Sequence, residues 1–160
     1  MDIRASCFTQ LIILLLYSSV AYSQIIAAPI SGDAAITSSF GVRNHPVLQS
    51  KRHHSGIDIR AKEGTEVLSI GAGKVVFAGV YGSYGNLVSI EHGEEFTTLY
   101  GHLSEIKVRV GEKLKSGHLI GYSGSTGRVS GPHLHFEIRY KGKSLNPQDI
   151  INGLFGGAKG

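Results

Sequence analysis

Cysteine occurs once in this sequence, at Cys7, so no disulfide can form within the chain and no cysteine is left for the region that folds. Cys7 also precedes the apolar run beside it, whereas a lipidated cysteine would follow one. Long apolar runs are lacking too. The best, Phe8 to Val20 with six consecutive aliphatic residues from Leu11 to Leu16, falls short of the roughly 20 residues a membrane-spanning helix needs. With Arg4 ahead of it and the small residues Ala21 and Ser23 at its end, it predicts a signal peptide over residues 1–23, cleaved after Ser23. The mature chain would then be residues 24–160, exported to the periplasm or the extracellular space, with the periplasm favoured for so short a chain. No stable membrane insertion is expected once the signal is removed.

A basic helix is missing, and so is an aromatic stacking motif. The 16 Lys and Arg residues are scattered, which with export argues against nucleic acid as a partner. The formal net charge of +4 instead suits an anionic polymer such as the cell wall, or a membrane surface. After the signal no window of 12 or more residues shows helical periodicity.

Glycine, by contrast, is abundant, with 22 residues, about twice its average share of roughly 7%. The glycines separate β-branched and aliphatic runs. Candidate strands are 66–70, 74–78, 87–91, 96–102, 119–123 and 133–140. The expected fold is all-β, one compact antiparallel domain over about residues 33–150, and monomeric. Residues 38–55 read as a long surface loop, and residues 152–160 as a frayed end.

The chemistry gathers in two segments. In Gly131-Pro-His133-Leu-His135-Phe-Glu137-Ile138 the polar residues alternate with apolar ones, the period of a strand with one polar and one buried face. Two imidazoles on one face suit a divalent metal. In His54-Ser-Gly56-Ile-Asp58 an even offset puts His54 and Asp58 on one face of an extended segment, and Gly56 lets another backbone come close. His54, Asp58 and one imidazole of the 133/135 pair make a zinc-type donor set, with one coordination position left for water. The other imidazole then sits beside the metal as a proton acceptor. The HExxH helix is absent, so histidines take the acid and base roles. Glu137 lies on the same strand face, where it could orient a ligating imidazole.

Together with Tyr100-Gly-His102-Leu-Ser104, these motifs resemble the lysostaphin-type (LytM-like) zinc metallopeptidases, a family of peptidoglycan endopeptidases. The resemblance runs from about Ile36 to Ile150 and includes Ser39-Phe-Gly-Val-Arg43, Gly71-Ala-Gly-Lys-Val75 and Tyr84-Gly-Asn86. It implies a compact antiparallel β-sheet with a loop-walled groove. It makes His54, Asp58 and His135 the ligands of one Zn2+ per chain, and His102 and His133 the catalytic histidines. The implied activity is hydrolysis of peptide bonds in peptidoglycan stem peptides or cross-links. The competing reading is a non-catalytic wall-binding or amidase-activator module that uses the same groove.

The other histidines read as structural. His92 and His118 lie in turns, His45 precedes Pro46 in a loop, and His53 lacks the H-x-G-x-D spacing that His54 keeps. Tyr84, Tyr100 and Tyr122 are more often core than groove at such positions. Asn86 either meets substrate backbone or stabilises its turn.

Overall fold

The structure is a computed structural model and describes residues 27–32, 35–44, 51–93 and 95–155. The expected signal peptide and His45 lie outside the described residues. Twelve strands are described: β1 (Ile36–Ser38), β2 (Gly41–Asn44), β3 (Lys51–His54), β4 (Ile57–Arg60), β5 (Glu66–Leu68), β6 (Gly73–Val80), β7 (Asn86–Glu91), β8 (Phe96–Ile106), β9 (Lys113–Leu114), β10 (Leu119–Ser123), β11 (His133–Tyr140) and β12 (Lys143–Leu145). A 3-10 turn (Gly82–Tyr84) joins β6 to β7, and α1 (Pro147–Phe155) follows β12. Among the described residues no helix is long and apolar enough to cross a membrane.

Ten strands form one antiparallel sheet in the order β1-β4-β11-β8-β7-β6-β9, with β12 beside β11 and β10 joining β8 to β5. The all-β expectation holds. β2 and β3 pair separately as a hairpin. That hairpin corrects the expectation of a loop over 38–55. Its polar, glycine- and asparagine-bearing sequence carries turn signals, and Val42 on it is 65% exposed, so no apolar alternation marks it.

β11 lies inside the sheet, flanked by β4 and β8. Leu134, Phe136 and Ile138 face the core with Ile57 and Ile59 of β4, Val88 and Ile90 of β7, and Tyr100 of β8. The Tyr100 and Phe136 rings stand 5.3 Å apart. Burying each such ring contributes roughly 1.5–3 kcal/mol. Tyr100 is core, as its strand position suggested; its hydroxyl accepts the Ile70 N–H at 3.1 Å.

The opposite face of β11 is polar as expected, yet it too is buried. His135 is 7% exposed and Glu137 is fully buried. Tyr84, on the 3-10 turn, packs over it.

Of the expected frayed end, residues 152–155 belong to α1, and residues 156–160 lie outside the described residues. Asn146 Oδ1 accepts the Gln148 N–H at 3.1 Å, Pro147 occupies the first helical position and Asp149 the first turn, so α1 starts with a side-chain cap and a favourable charge. At nine residues, α1 is too short for a helical period to stand out in the sequence.

Candidate metal centre and its histidine surround

The register of β11 builds the site. His135 faces Asp58 across β4 and Gly101 across β8. His54 arrives differently from the one-strand picture. It ends β3, Asp58 lies in β4, and the chain turns between them at Ser55-Gly56. A Cβ on Gly56 would stand 2.3 Å from the Phe136 carbonyl oxygen and 2.8 Å from Glu137 Cγ, so only glycine lets this corner press onto β11.

Three donor atoms converge there. His54 Nε2 lies 3.1 Å from Asp58 Oδ1 and 3.2 Å from His135 Nδ1, and His135 Nδ1 lies 2.9 Å from Asp58 Oδ1. These residues form a group that could hold a metal ion. An ion bound tetrahedrally at about 2.0–2.2 Å keeps its donors roughly 3.3–3.6 Å apart, slightly wider than this triangle. The far ring nitrogens agree. His54 Nδ1 faces the Ser39 carbonyl at 2.9 Å, an acceptor only, so Nδ1 carries the hydrogen and Nε2 presents its lone pair. His135 Nε2 donates to Glu137 Oε1 at 3.0 Å, which frees Nδ1 in the same way. Two imidazoles and one carboxylate, each turning one donor atom toward the other two, fit a zinc-type ion.

Burial works against the charge on Asp58. When the two rings are protonated, the hydrogen bonds that His135 and His54 donate to Asp58, and their positive charge, outweigh burial and hold the carboxyl well below the usual carboxylate range. Burial likewise penalises charged His135, but the bonds to Asp58 and Glu137 prevail and raise its pKa. Glu137 is itself held. Its carboxylate accepts from Tyr84 Oη at 2.6 Å and from Arg139 Nε at 2.8 Å. Burial would raise its pKa, yet the bonds from His135, Tyr84 and Arg139 lower it. Burial and then the Glu137 bond push the Tyr84 phenol up to about 12, which keeps it a donor.

His133 and His102 flank the triangle. His133 Nδ1 faces the Gly131 carbonyl at 2.9 Å, and its Nε2 lies 3.6 Å from Asp58 Oδ1. The His102 ring stands 4.8 Å from that of His133 and 5.7 Å from that of His135. His102 does not end a strand, as its sequence suggested. β8 continues past it through a bulge, since Asn86 pairs with Leu103 and the next pair is Val88 with Tyr100. At φ 64° His102 takes a left-handed conformation, which for a residue of this kind costs of order 1–3 kcal/mol. Thr126 holds the bulge: its hydroxyl donates to Leu103 O at 2.8 Å, and its carbonyl accepts from His102 Nδ1 at 2.9 Å. Burial, only partly offset by that bond, lowers the His102 pKa to about 4.

The remaining sequence candidates fall elsewhere. Asn86 Nδ2 donates across the sheet to Leu103 O of β8 at 2.9 Å, beside the bulge rather than within its own turn. His92 bridges Ala72 O and Thr98 Oγ1, His118 sits 3.8 Å from Glu112, and His53 packs on Phe40. Arg139 carries no sequence signal, and Thr126 belongs to the turn Gly124-Ser-Thr-Gly127 of the family resemblance without a role of its own. A charged residue near a strand end reads as solvated, and Thr126 reads as an ordinary loop threonine. Beside the triangle an open groove of about 470 Å³ is lined by Ser38, Asp58, Arg60, Ser130, Pro132 and His133.

Residues 52–147 match Peptidase family M23, and the chain belongs to that family. Over 115 residues, 72% of the chain, it is 45% identical to the DD-carboxypeptidase/endopeptidase Mpg of Neisseria meningitidis serogroup B. That alignment covers 26% of Mpg, so the chain spans about a quarter of the length of such curated relatives. Among solved structures it resembles a zinc-containing peptidase from Vibrio cholerae, with a TM-score of 0.73 and 36% identity over 77% of this chain and 39% of that one. It also resembles the catalytic domain of lysostaphin from Staphylococcus simulans, with a TM-score of 0.66 and 30% identity over 74% of this chain and 92% of that one.

Proposed function

We propose that the protein is an exported, zinc-dependent endopeptidase that hydrolyses peptide bonds in peptidoglycan stem peptides or cross-links. The observation that carries this reading is the triangle of His54, Asp58 and His135, whose three donor atoms converge at separations suited to zinc. Membership of a peptidase family and likeness to a DD-endopeptidase and a zinc-containing peptidase support it.

On this reading His54, Asp58 and His135 hold the ion. The chemistry zinc supplies when bound is that of a Lewis acid, which acidifies water and polarises a carbonyl. His133, with its Nδ1–H committed to Gly131, offers a bare Nε2 beside Asp58 and accepts the proton of the attacking water. His102 has its Nδ1–H committed to Thr126 and so also offers a bare Nε2. With a pKa near 4 its conjugate acid is strong, so a proton passed to it moves readily on to the leaving amine. That favours a relay over direct donation to the oxyanion. The intact donor set speaks against the activator alternative.

Zymography on purified peptidoglycan tests the proposal. The protein should clear the gel, a chelator should abolish clearing, and added zinc should restore it. His135→Ala should lose bound zinc, whereas His133→Ala should keep it and lose hydrolysis. Activity in both variants, or indifference to chelation, would overturn the assignment.

A further inference from the structure

The groove beside the triangle carries a cation that the catalytic assignment does not use. β4 alternates strictly: Ile57 and Ile59 are buried, while Asp58 is half-buried and Arg60 exposed on the other face. Arg60 therefore points the same way as Asp58, two residues or roughly 7 Å further along the strand. Across the sheet it pairs in register with His133, and its own backbone is fixed by the bond from Arg60 N to Ala35 O at 2.8 Å. Of the groove's lining residues Arg60 is the one with a permanent positive charge. Among the described residues no carboxylate pairs with its guanidinium, since Asp58 is engaged by the histidines.

A planar guanidinium facing an open groove is suited to binding a carboxylate through two parallel hydrogen bonds. The spacing says where that carboxylate would be. A scissile amide at the triangle leaves Arg60 about one to two extended residues away, within side-chain reach of the residue flanking the cut. We propose that Arg60 is a specificity-determining residue that selects peptides bearing a free carboxylate on a residue flanking the scissile bond. This rests on the endopeptidase reading above.

The test uses the zinc-loaded protein and three synthetic peptides with one common scissile amide. One carries a side-chain carboxylate on the flanking residue, one the corresponding carboxamide, and one a carboxylate only at its C-terminus. Wild type should favour a carboxylate peptide over the carboxamide in kcat/KM by on the order of ten- to hundredfold, mostly through KM, the range of a charge-assisted hydrogen bond. Comparison of the two carboxylate peptides identifies which position Arg60 reads. Arg60→Gln should erase the preference, so that the ratio of kcat/KM between carboxylate and carboxamide peptides falls to about one. Arg60→Lys should keep a reduced preference that fades with salt. Equal handling of all three peptides by wild type, or a preference that survives in Arg60→Gln, would overturn the proposal. If wild type cleaves neither the peptides nor purified peptidoglycan, the endopeptidase reading fails. The same ratios, read from the fluorescence anisotropy of labelled peptides, then still decide the role of Arg60, and no dependence on the carboxylate counts against it.

Discussion

Glu137 accepts the Nε2 hydrogen of His135 at 3.0 Å from a position with no solvent exposure. The two side chains leave the same face of one strand two residues apart, so the carboxylate that orients the imidazole is rigidly spaced from it. Tyr84 and Arg139 hold the carboxylate in turn.

Glu137→Gln keeps the shape of that side chain and removes its charge. The amide no longer compensates Arg139 and cannot fix the His135 tautomer as strongly. Zinc affinity should fall by about 10- to 100-fold, as measured by competition with a chromophoric chelator. The variant should also melt at a lower temperature, because the guanidinium loses its buried partner. Unchanged affinity would show that the Glu137 contact does not tune the ligand.

Gly56→Ala tests the corner between β3 and β4. The added methyl group meets the Phe136 carbonyl, which is backbone and cannot swing away. Moving the corner separates His54 from Asp58 and His135. Stability should drop by about 1–3 kcal/mol, seen by urea denaturation, with weakened zinc binding in the fraction that stays folded. Full zinc affinity in a stable variant would mean that the corner has slack.

His92 should make stability depend on pH. Burial lowers its pKa, with the Ala72 carbonyl opposing the shift. Above the unfolded value of about 6.5 both states are neutral there and nothing is lost. Below it the unfolded chain takes up a proton that the folded one resists, so stability falls with pH by up to about 1.4 kcal/mol per unit. His92→Gln costs stability at neutral pH, but its deficit should shrink as the pH is lowered below about 6.5. Parallel denaturation curves check this; a deficit that stays constant with pH would count against it.

How much could be read beforehand depended on whether a residue's partner lay near it in sequence. The alternation from His133 to Ile138 announced β11 because period 2 is a local property. The strands of the β2–β3 hairpin went unread, since they bury little and their residues look like turns. The spacing of His54 and Asp58 suggests one extended strand, whereas the two side chains meet across the corner between β3 and β4. The bulge at His102 and the support from Arg139 and Thr126 were invisible, because each depends on contacts between residues distant in the chain.

The separateness of the β2–β3 hairpin bears on how the molecule responds to its surroundings. His54 is the last residue of that hairpin, while Asp58 and His135 belong to the main sheet. An ion shared by the three would act as a clasp between the two sheets, with a grip set by how much free metal is available. Scarcity of metal would then slacken one wall of the site before it disturbs the scaffold behind it.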